Sequence, residues 1–377
     1  MQSRICEILD IEFPLLAFSH CRDVVVAVSK AGGMGVFGAV NHPPDRLEEE
    51  LKWIDDNIDG KPYGIDLIVP NKYEGKGKTL NPSDLSNSIP QEHKDFTNSI
   101  LYSHDIEIED PEEVRKGTIQ FGRNLSEEGA ESSLEVAFKH PIKLVANALG
   151  VPPKIMLELG KKNNVAVAAL VGAKEHAIKQ VEAGVDILVV AGGEAGGHCG
   201  DVSTMVLVPE VYNAIKDLKD VPILAAGGIT TGGQMAASMA MGASGAWCGS
   251  VWLTTSEAET NPVVKEKMLA ASSRDTVRSR SRTGKFSRQL RSPWTDAWEN
   301  EGPDPLPMPL QSFVSEPALK KIDKLSQGGH EGAKQLATYW VGQGVGLMNH
   351  TLSAGTVVQN FKEDFIEAYE RLNNYFS

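Results

Sequence analysis

Eight short apolar runs, each bounded by turn-forming residues and separated from the next by segments of helical spacing, limit what this chain can fold into more than any other feature. The runs fall at residues 15–18, 36–39, 63–69, 142–146, 165–170, 187–191, 221–226 and 245–248. A strand covered on both faces reads as a continuous apolar run, and parallel strands gain that cover from crossover helices. Segments 23–31, 45–56, 153–163, 173–183, 209–217 and 233–241 supply such helices, with apolar side chains three and four residues apart. Eight strands are the number that closes a (β/α)8 TIM barrel, an α/β fold of roughly 250 residues. An open doubly wound sheet gives the same alternation, so the count alone leaves that alternative standing.

Two segments break the rhythm. Residues 70–141 are polar and acidic (Glu107, Glu109, Asp110, Glu112, Glu113) and far longer than an ordinary connection after a strand. They read as a partly helical insertion after the third strand, lying over the barrel mouth. Residues 255–339 include a proline-rich stretch at 303–309 and read as a small appended domain on the substrate side. Residues 340–377 return to the barrel through an amphipathic stretch at 360–376, with Phe361, Phe365, Ala368 and Leu372 on one face. The expected division is a barrel over 1–254 carrying the 70–141 insertion, the small domain over 255–339, and the returning segment.

The chain carries 37 Lys and Arg against 50 Asp and Glu, a formal net charge of -13 over 377 residues. A field of that sign opposes nucleic-acid phosphates and anionic lipid, so neither is an expected partner. No stretch of about 20 apolar residues occurs, and the N-terminal Met-Gln-Ser-Arg-Ile-Cys-Glu lacks a signal peptide's apolar centre, which points to the cytoplasm. Cys6, Cys21, Cys199 and Cys248 are scattered without zinc-site spacing, so reduced thiols and no metal are expected.

Barrel enzymes bind ligands at the carboxyl ends of their strands, with phosphates favouring the loops after the last two. The seventh run ends in Ala225-Ala226-Gly227-Gly228-Ile229 and the eighth in Cys248-Gly249-Ser250. Glycine lets backbone amides approach a phosphate without a Cβ between them, although tight turns also call for glycine. The sixth run leads into Gly192-Gly193-Glu194-Ala195-Gly196-Gly197-His198-Cys199-Gly200. Beyond a barrel strand, an imidazole that titrates near neutrality suits proton exchange with a carbon acid, so His198 is the candidate catalytic residue.

Together with Ala31-Gly32-Gly33-Met34-Gly35 and Trp340-Val341-Gly342-Gln343-Gly344-Val345-Gly346, these motifs resemble the nitronate monooxygenase family, formerly the 2-nitropropane dioxygenases. The resemblance spans nearly the whole barrel and the tail. It implies an FMN-binding barrel that oxidises alkyl nitronates with molecular oxygen to a carbonyl compound and nitrite. By the same resemblance, His198 stands beside the flavin as base or orienting donor, with Gly196 and Gly197 in its loop. Gly227, Gly228, Gly249 and Ser250 match the phosphate cradle. Ala17, Phe18 and Asp66 match places that touch the flavin ring, and Gln343 and Gly344 match the closing turn.

Departures from the family pattern mark the site. Cys199 follows the histidine where arginine is common, and Asp66 stands where an amide is common. A carboxylate near a ring that must take on negative charge opposes reduction, so Asp66 is expected to be protonated, turned away or tuning the potential. His20 and Cys21 are two further substrate-side candidates, against the simpler reading that they pack at the rim. Arg274, Arg278, Arg280, Arg282, Arg288 and Arg291 could hold the phosphates of a nucleotide or coenzyme A substrate, or pair internally. The second enzyme reading is an NAD(P)H-dependent FMN reductase of enoyl thioesters or quinones. A reading from another class is a flavin-binding sensor without turnover. Expected partners are a small-molecule substrate and oxygen or another electron acceptor, with homo-oligomerisation left open.

Overall fold

The structure, a computed structural model, describes residues 1–40, 42–68, 88–107 and 127–376, the side chains of 127–130 excepted. All eight expected strands form: Leu15–Ser19 (β1), Met34–Gly38 (β2), Tyr63–Leu67 (β3), Leu144–Asn147 (β4), Ala166–Val171 (β5), Ile187–Ala191 (β6), Ile223–Ala226 (β8) and Gly245–Cys248 (β9). A two-residue strand, Gly197–His198 (β7), lies outside the ring. The eight pair in parallel and β9 returns to β1 through Leu16 and Trp247, so the barrel is closed and the open-sheet alternative is excluded.

Alternation along each strand sorts side chains between two cores. Leu16, Met34, Val36, Leu144, Val189 and Leu224 fill the barrel interior. Ala17, Phe37, Ile65, Val145, Leu188 and Ala225 face the surrounding helices. The helix Arg4–Leu9, capped by the Ser3 hydroxyl accepting from the Ile5 amide, buries Ile5 and Leu9 in the interior cluster and so plugs one end. Fully burying such a side chain contributes about 1.5–3 kcal/mol.

Part of the segment expected to cover the mouth lies elsewhere. Leu134, Val136 and Ala137 of the helix Glu127–Ala137 share a core with Leu47, Leu51 and Ile54 of the helix Pro44–Asn57. The helix Glu127–Ala137 is thus the outer-wall crossover between β3 and β4, and its apolar residues belong to the barrel. The helix Gln91–Tyr102 packs on the helix Leu310–Gln327. Its Phe96 meets Trp298 edge-on at 5.0 Å, and its His93 Nε2 lies 3.0 Å from the Asp304 carbonyl. The acids Glu109, Asp110, Glu112 and Glu113 lie outside the described residues.

A separate core, built around Val264, Met268, Trp294, Trp298, Leu319 and Leu336, gathers much of the chain beyond the barrel strands. Its sheet contains Thr276–Ser279 (β10) and Ser287–Leu290 (β11), paired antiparallel, with β7 of the barrel loop as third strand. The last helix, Ala354–Asn373, starts earlier than its sequence pattern suggests and packs Val358 and Phe361 on the barrel, Phe361 stacking on Trp252.

Candidate active site

Four of the five glycine-bearing segments meet at the carboxyl ends of the strands; the fifth, 31–35, enters β2 at its amino end, where the Gly32 carbonyl accepts from the Phe13 amide. Gly227 and Gly228 have φ of +101° and +71°, and added Cβ atoms would lie 2.7 Å from Thr204 Oγ1 and 2.9 Å from Glu194 Cβ, so both need glycine for conformation and for space. Gly249 differs. A Cβ there would meet only Phe18 Cδ1, at 3.8 Å, so the surrounding structure leaves clearance that it does not itself fill. The amides of Gly228, Ile229, Gly249 and Ser250 find no acceptor among the described residues. Those are unmet donors at the ends of two adjacent strands, the chemistry an anion satisfies.

The closing turn locks onto this end. Gly342 N donates to Ser250 Oγ (2.8 Å), and Gln343 N to the Glu194 carbonyl (2.9 Å). Gly344 packs so tightly on Gly228 that a Cβ would lie 2.7 Å from its carbonyl oxygen. Glu194 holds its own loop down by accepting from Thr204 N (2.9 Å) and Thr204 Oγ1 (3.0 Å). The helix Gly232–Ala240 leaves little for a ligand, because its N-terminus is capped by Thr231 and Gln234 and its Gly232 amide reaches Asp364.

Across the mouth, Phe18 stacks at 6.3 Å on Trp247 and meets His20 edge-on at 5.1 Å. His20 Nδ1 lies 2.9 Å from the Gly38 carbonyl, and a Cβ on Gly38 would come within 2.6 Å of that nitrogen. Burial lowers the His20 pKa and keeps the ring neutral. Next to Gly38 in register stands Asp66, 4% exposed and inward on β3. Its carboxyl has no partner among the described residues. Burial raises it well above the usual carboxylate range, which favours the protonated form among the three expectations.

His198 is carried by β7, which β11 grips through the Ser287–His198 and Arg288–Gly197 pairs. Its Nε2 lies 2.8 Å from Thr283 Oγ1. Burial first, then the Lys285 and Arg282 charges, push its pKa down to about 4, so the ring is a neutral imidazole at ordinary pH. Arg288 fastens the same loop by donating Nε and Nη2 to the Gly193 carbonyl at 3.0 and 2.8 Å.

Several expected residues are placed elsewhere. The Ala17 side chain packs outward, leaving only its backbone near the mouth. Cys21 also sits in the outer core, its thiol donating to the Glu257 carbonyl and grouped within 4.8 Å of the Asp23 and Glu259 carboxylates. Cys199 turns toward Arg278 and Arg288, and burial raises its pKa against their pull. The arginine run is largely spoken for: Arg278 pairs with Asp201, Arg280 with Asp304, Arg282 with Glu316 and Arg291 with Asp296. Sequence reading missed Thr283, Glu194 and Thr204 as parts of the site, and it named Arg288 only as a candidate for holding substrate phosphates, not as the fastening of the 193 loop. Thr283 lies 85 residues from the histidine it touches, and no local pattern announces such a pair. A groove of about 700 Å³ at the opposite end is lined by Arg4, Lys154, Asp186 and Lys219, with no histidine, cysteine, serine or tyrosine.

A model of the family described as nitronate monooxygenase matches residues 2–364. A Mycobacterium tuberculosis protein provisionally named a monooxygenase is 49% identical over 375 residues, covering 99% of this chain and 98% of its own. A Staphylococcus saprophyticus protein provisionally named a nitronate monooxygenase is 28% identical over 394 residues, covering 98% and 99%. Among solved structures, nitroalkane oxidase from Streptomyces ansochromogenes is similar in fold, with a TM-score of 0.79 at 23% identity and coverage of 98% and 99%. FabK from Thermotoga maritima is similar with a TM-score of 0.71 at 25% identity, over 100% and 99% of the two chains.

Proposed function

Because the chain belongs to the nitronate monooxygenase family and is an oxidoreductase, we propose that it binds FMN at the barrel mouth and oxidises alkyl nitronates with molecular oxygen. The observation that carries this reading is the set of unmet amides at Gly228, Ile229, Gly249 and Ser250, on the same barrel end as the His198 loop. They suit one terminal phosphate, and the clearance at Gly249 is a cradle that a Cβ would begin to fill. FMN, when bound, supplies electron acceptance from the substrate carbon and delivery to oxygen.

The residues of the chain do the rest. Gly227 and Gly228 shape the phosphate loop, and Ser250 with the 342–344 turn closes it. Phe18 and Trp247 give the mouth an apolar wall that keeps water from the reacting carbon. Asp66, as a neutral acid, offers a donor and an acceptor to a polar ring edge without placing negative charge beside it. His198 takes a proton from a substrate that arrives as the neutral nitro compound. The Arg282 and Lys285 charges that depress its pKa also favour an anion at the same place.

The sensor reading falls away, since the chain is an enzyme. Reduction by NAD(P)H requires cations for a dinucleotide, and four of the six arginines that could supply them are held in ion pairs while Arg288 is spent on the Gly193 carbonyl. The test is turnover of the FMN-loaded protein with an alkyl nitronate in air. Equal release of nitrite and carbonyl compound is expected, and FMN binding without either product contradicts the reading.

A further inference from the structure

Thr283 lies between β10 and β11, is 5% exposed, and approaches His198 Nε2 at 2.8 Å. Its hydroxyl has one proton, and that proton has a destination, the Lys285 carbonyl at 3.2 Å. The Lys285 amide in turn donates to Thr283 Oγ1 at 3.3 Å. A carbonyl can only accept, so when the hydroxyl proton is directed there, rather than along the 2.8 Å contact to Nε2, Oγ1 faces the imidazole as an acceptor. The shared proton then belongs to Nε2. A neutral imidazole carries a single N–H, which leaves the lone pair on Nδ1, and Nδ1 has no partner among the described residues.

We propose that Thr283 is a positioning residue that fixes His198 as the Nε2–H tautomer, leaving Nδ1 as the atom that accepts a proton from substrate. The proposal rests on the reading of His198 as the base of the site, and it gives the second core a direct part in the chemistry through one hydroxyl. The backbone pairing of His198 with Ser287 fixes where the ring is attached, and the Thr283 contact is the one hydrogen bond the ring makes among the described residues. The charged and titratable groups around the ring are otherwise engaged or remote from Oγ1. Arg282 pairs with Glu316, Arg288 binds the Gly193 carbonyl, Glu194 holds Thr204, Cys199 faces Arg278 and Arg288, and Lys285 is exposed. Thr283 is thus the side chain that sets which nitrogen carries the proton.

The test compares FMN-loaded wild type, Thr283→Val and Thr283→Ser by 15N NMR of the His198 ring, together with the pH profile of kcat/KM on a neutral nitroalkane and on its nitronate. Wild type should show the proton on Nε2. The valine variant, close in shape, should show mixed tautomers, a shifted profile and a loss of about 10-fold on the nitroalkane. Its loss on the nitronate should be smaller, and serine should restore wild-type behaviour. A wild-type proton on Nδ1, or a folded valine variant with unchanged tautomer and profile, overturns the proposal. If His198→Ala leaves both substrates unaffected, the functional reading fails, while the NMR result still decides what Thr283 does.

Discussion

His198 is kept neutral by its surroundings, and that has a cost in acid. Its folded pKa of about 4 lies below the ordinary 6.5, so between those values the unfolded chain binds more protons than the folded one. Stability should therefore rise with pH across that window, by up to about 3 kcal/mol from this residue. Urea melts at the two ends of the window should show a flatter slope for His198→Ala than for wild type. The same variant should keep FMN and lose about 10²- to 10⁴-fold in turnover of a neutral nitroalkane; unchanged turnover with FMN in place would make the residue structural. Asp66 has the opposite sign. With its pKa raised, the folded state holds the extra proton above the ordinary carboxylate range, so this residue weakens the fold as pH rises. Asp66→Asn should raise the urea midpoint of the FMN-free protein, and more at mildly alkaline than at mildly acid pH. A protonated Asp66 was one of three readings that its place near the ring left open, whereas the His198 shift was not legible in the sequence, because it arises first from burial and then from the Lys285 and Arg282 charges.

Elements were easier to read than contacts. The strand runs were visible because a strand covered on both faces has no polar period; their number suited a ring but did not exclude an open sheet, which the pairing of β9 with β1 does. The glycine ends at 227–228 and 249–250 were visible for a local reason, the φ and clearance those positions need. The helix Glu127–Ala137 was absorbed into a supposed mouth cover because its apolar residues follow a long polar stretch, and the Arg4–Leu9 plug was overlooked because it is only six residues long. The grip of β11 on β7 could not be seen either, since a two-residue strand has no pattern of its own. Close packing between the helix Gly232–Ala240 and the last helix also appears only in three dimensions: a Cβ on Gly232 would lie 1.9 Å from the Phe361 carbonyl oxygen. Gly232→Ala should push the last helix off the barrel and destabilise the protein by about 1–3 kcal/mol, read by thermal or urea melting. A neutral result would mean that the two helices are less tightly joined than the structure shows.

For the whole molecule, the decisive relation is between a closed barrel with unmet amides at one end and a second core that reaches over that end to hold the histidine. The amides suit one phosphate, and the chain has no Gly-x-Gly-x-x-Gly turn opening a helix after an early strand. Denatured protein should therefore release FMN, not FAD. The mouth is walled by Phe18 and Trp247, and the arginines near it are largely committed to partners, which suits a compact anion better than a dinucleotide. The most direct measurement is anaerobic mixing of the FMN-loaded protein with an alkyl nitronate in one experiment and with NADH or NADPH in another, following the visible absorbance of the flavin. The nitronate should change that absorbance much faster than either nicotinamide. Rapid reduction by NAD(P)H with no response to nitronate would contradict the account and assign the protein to the reductases.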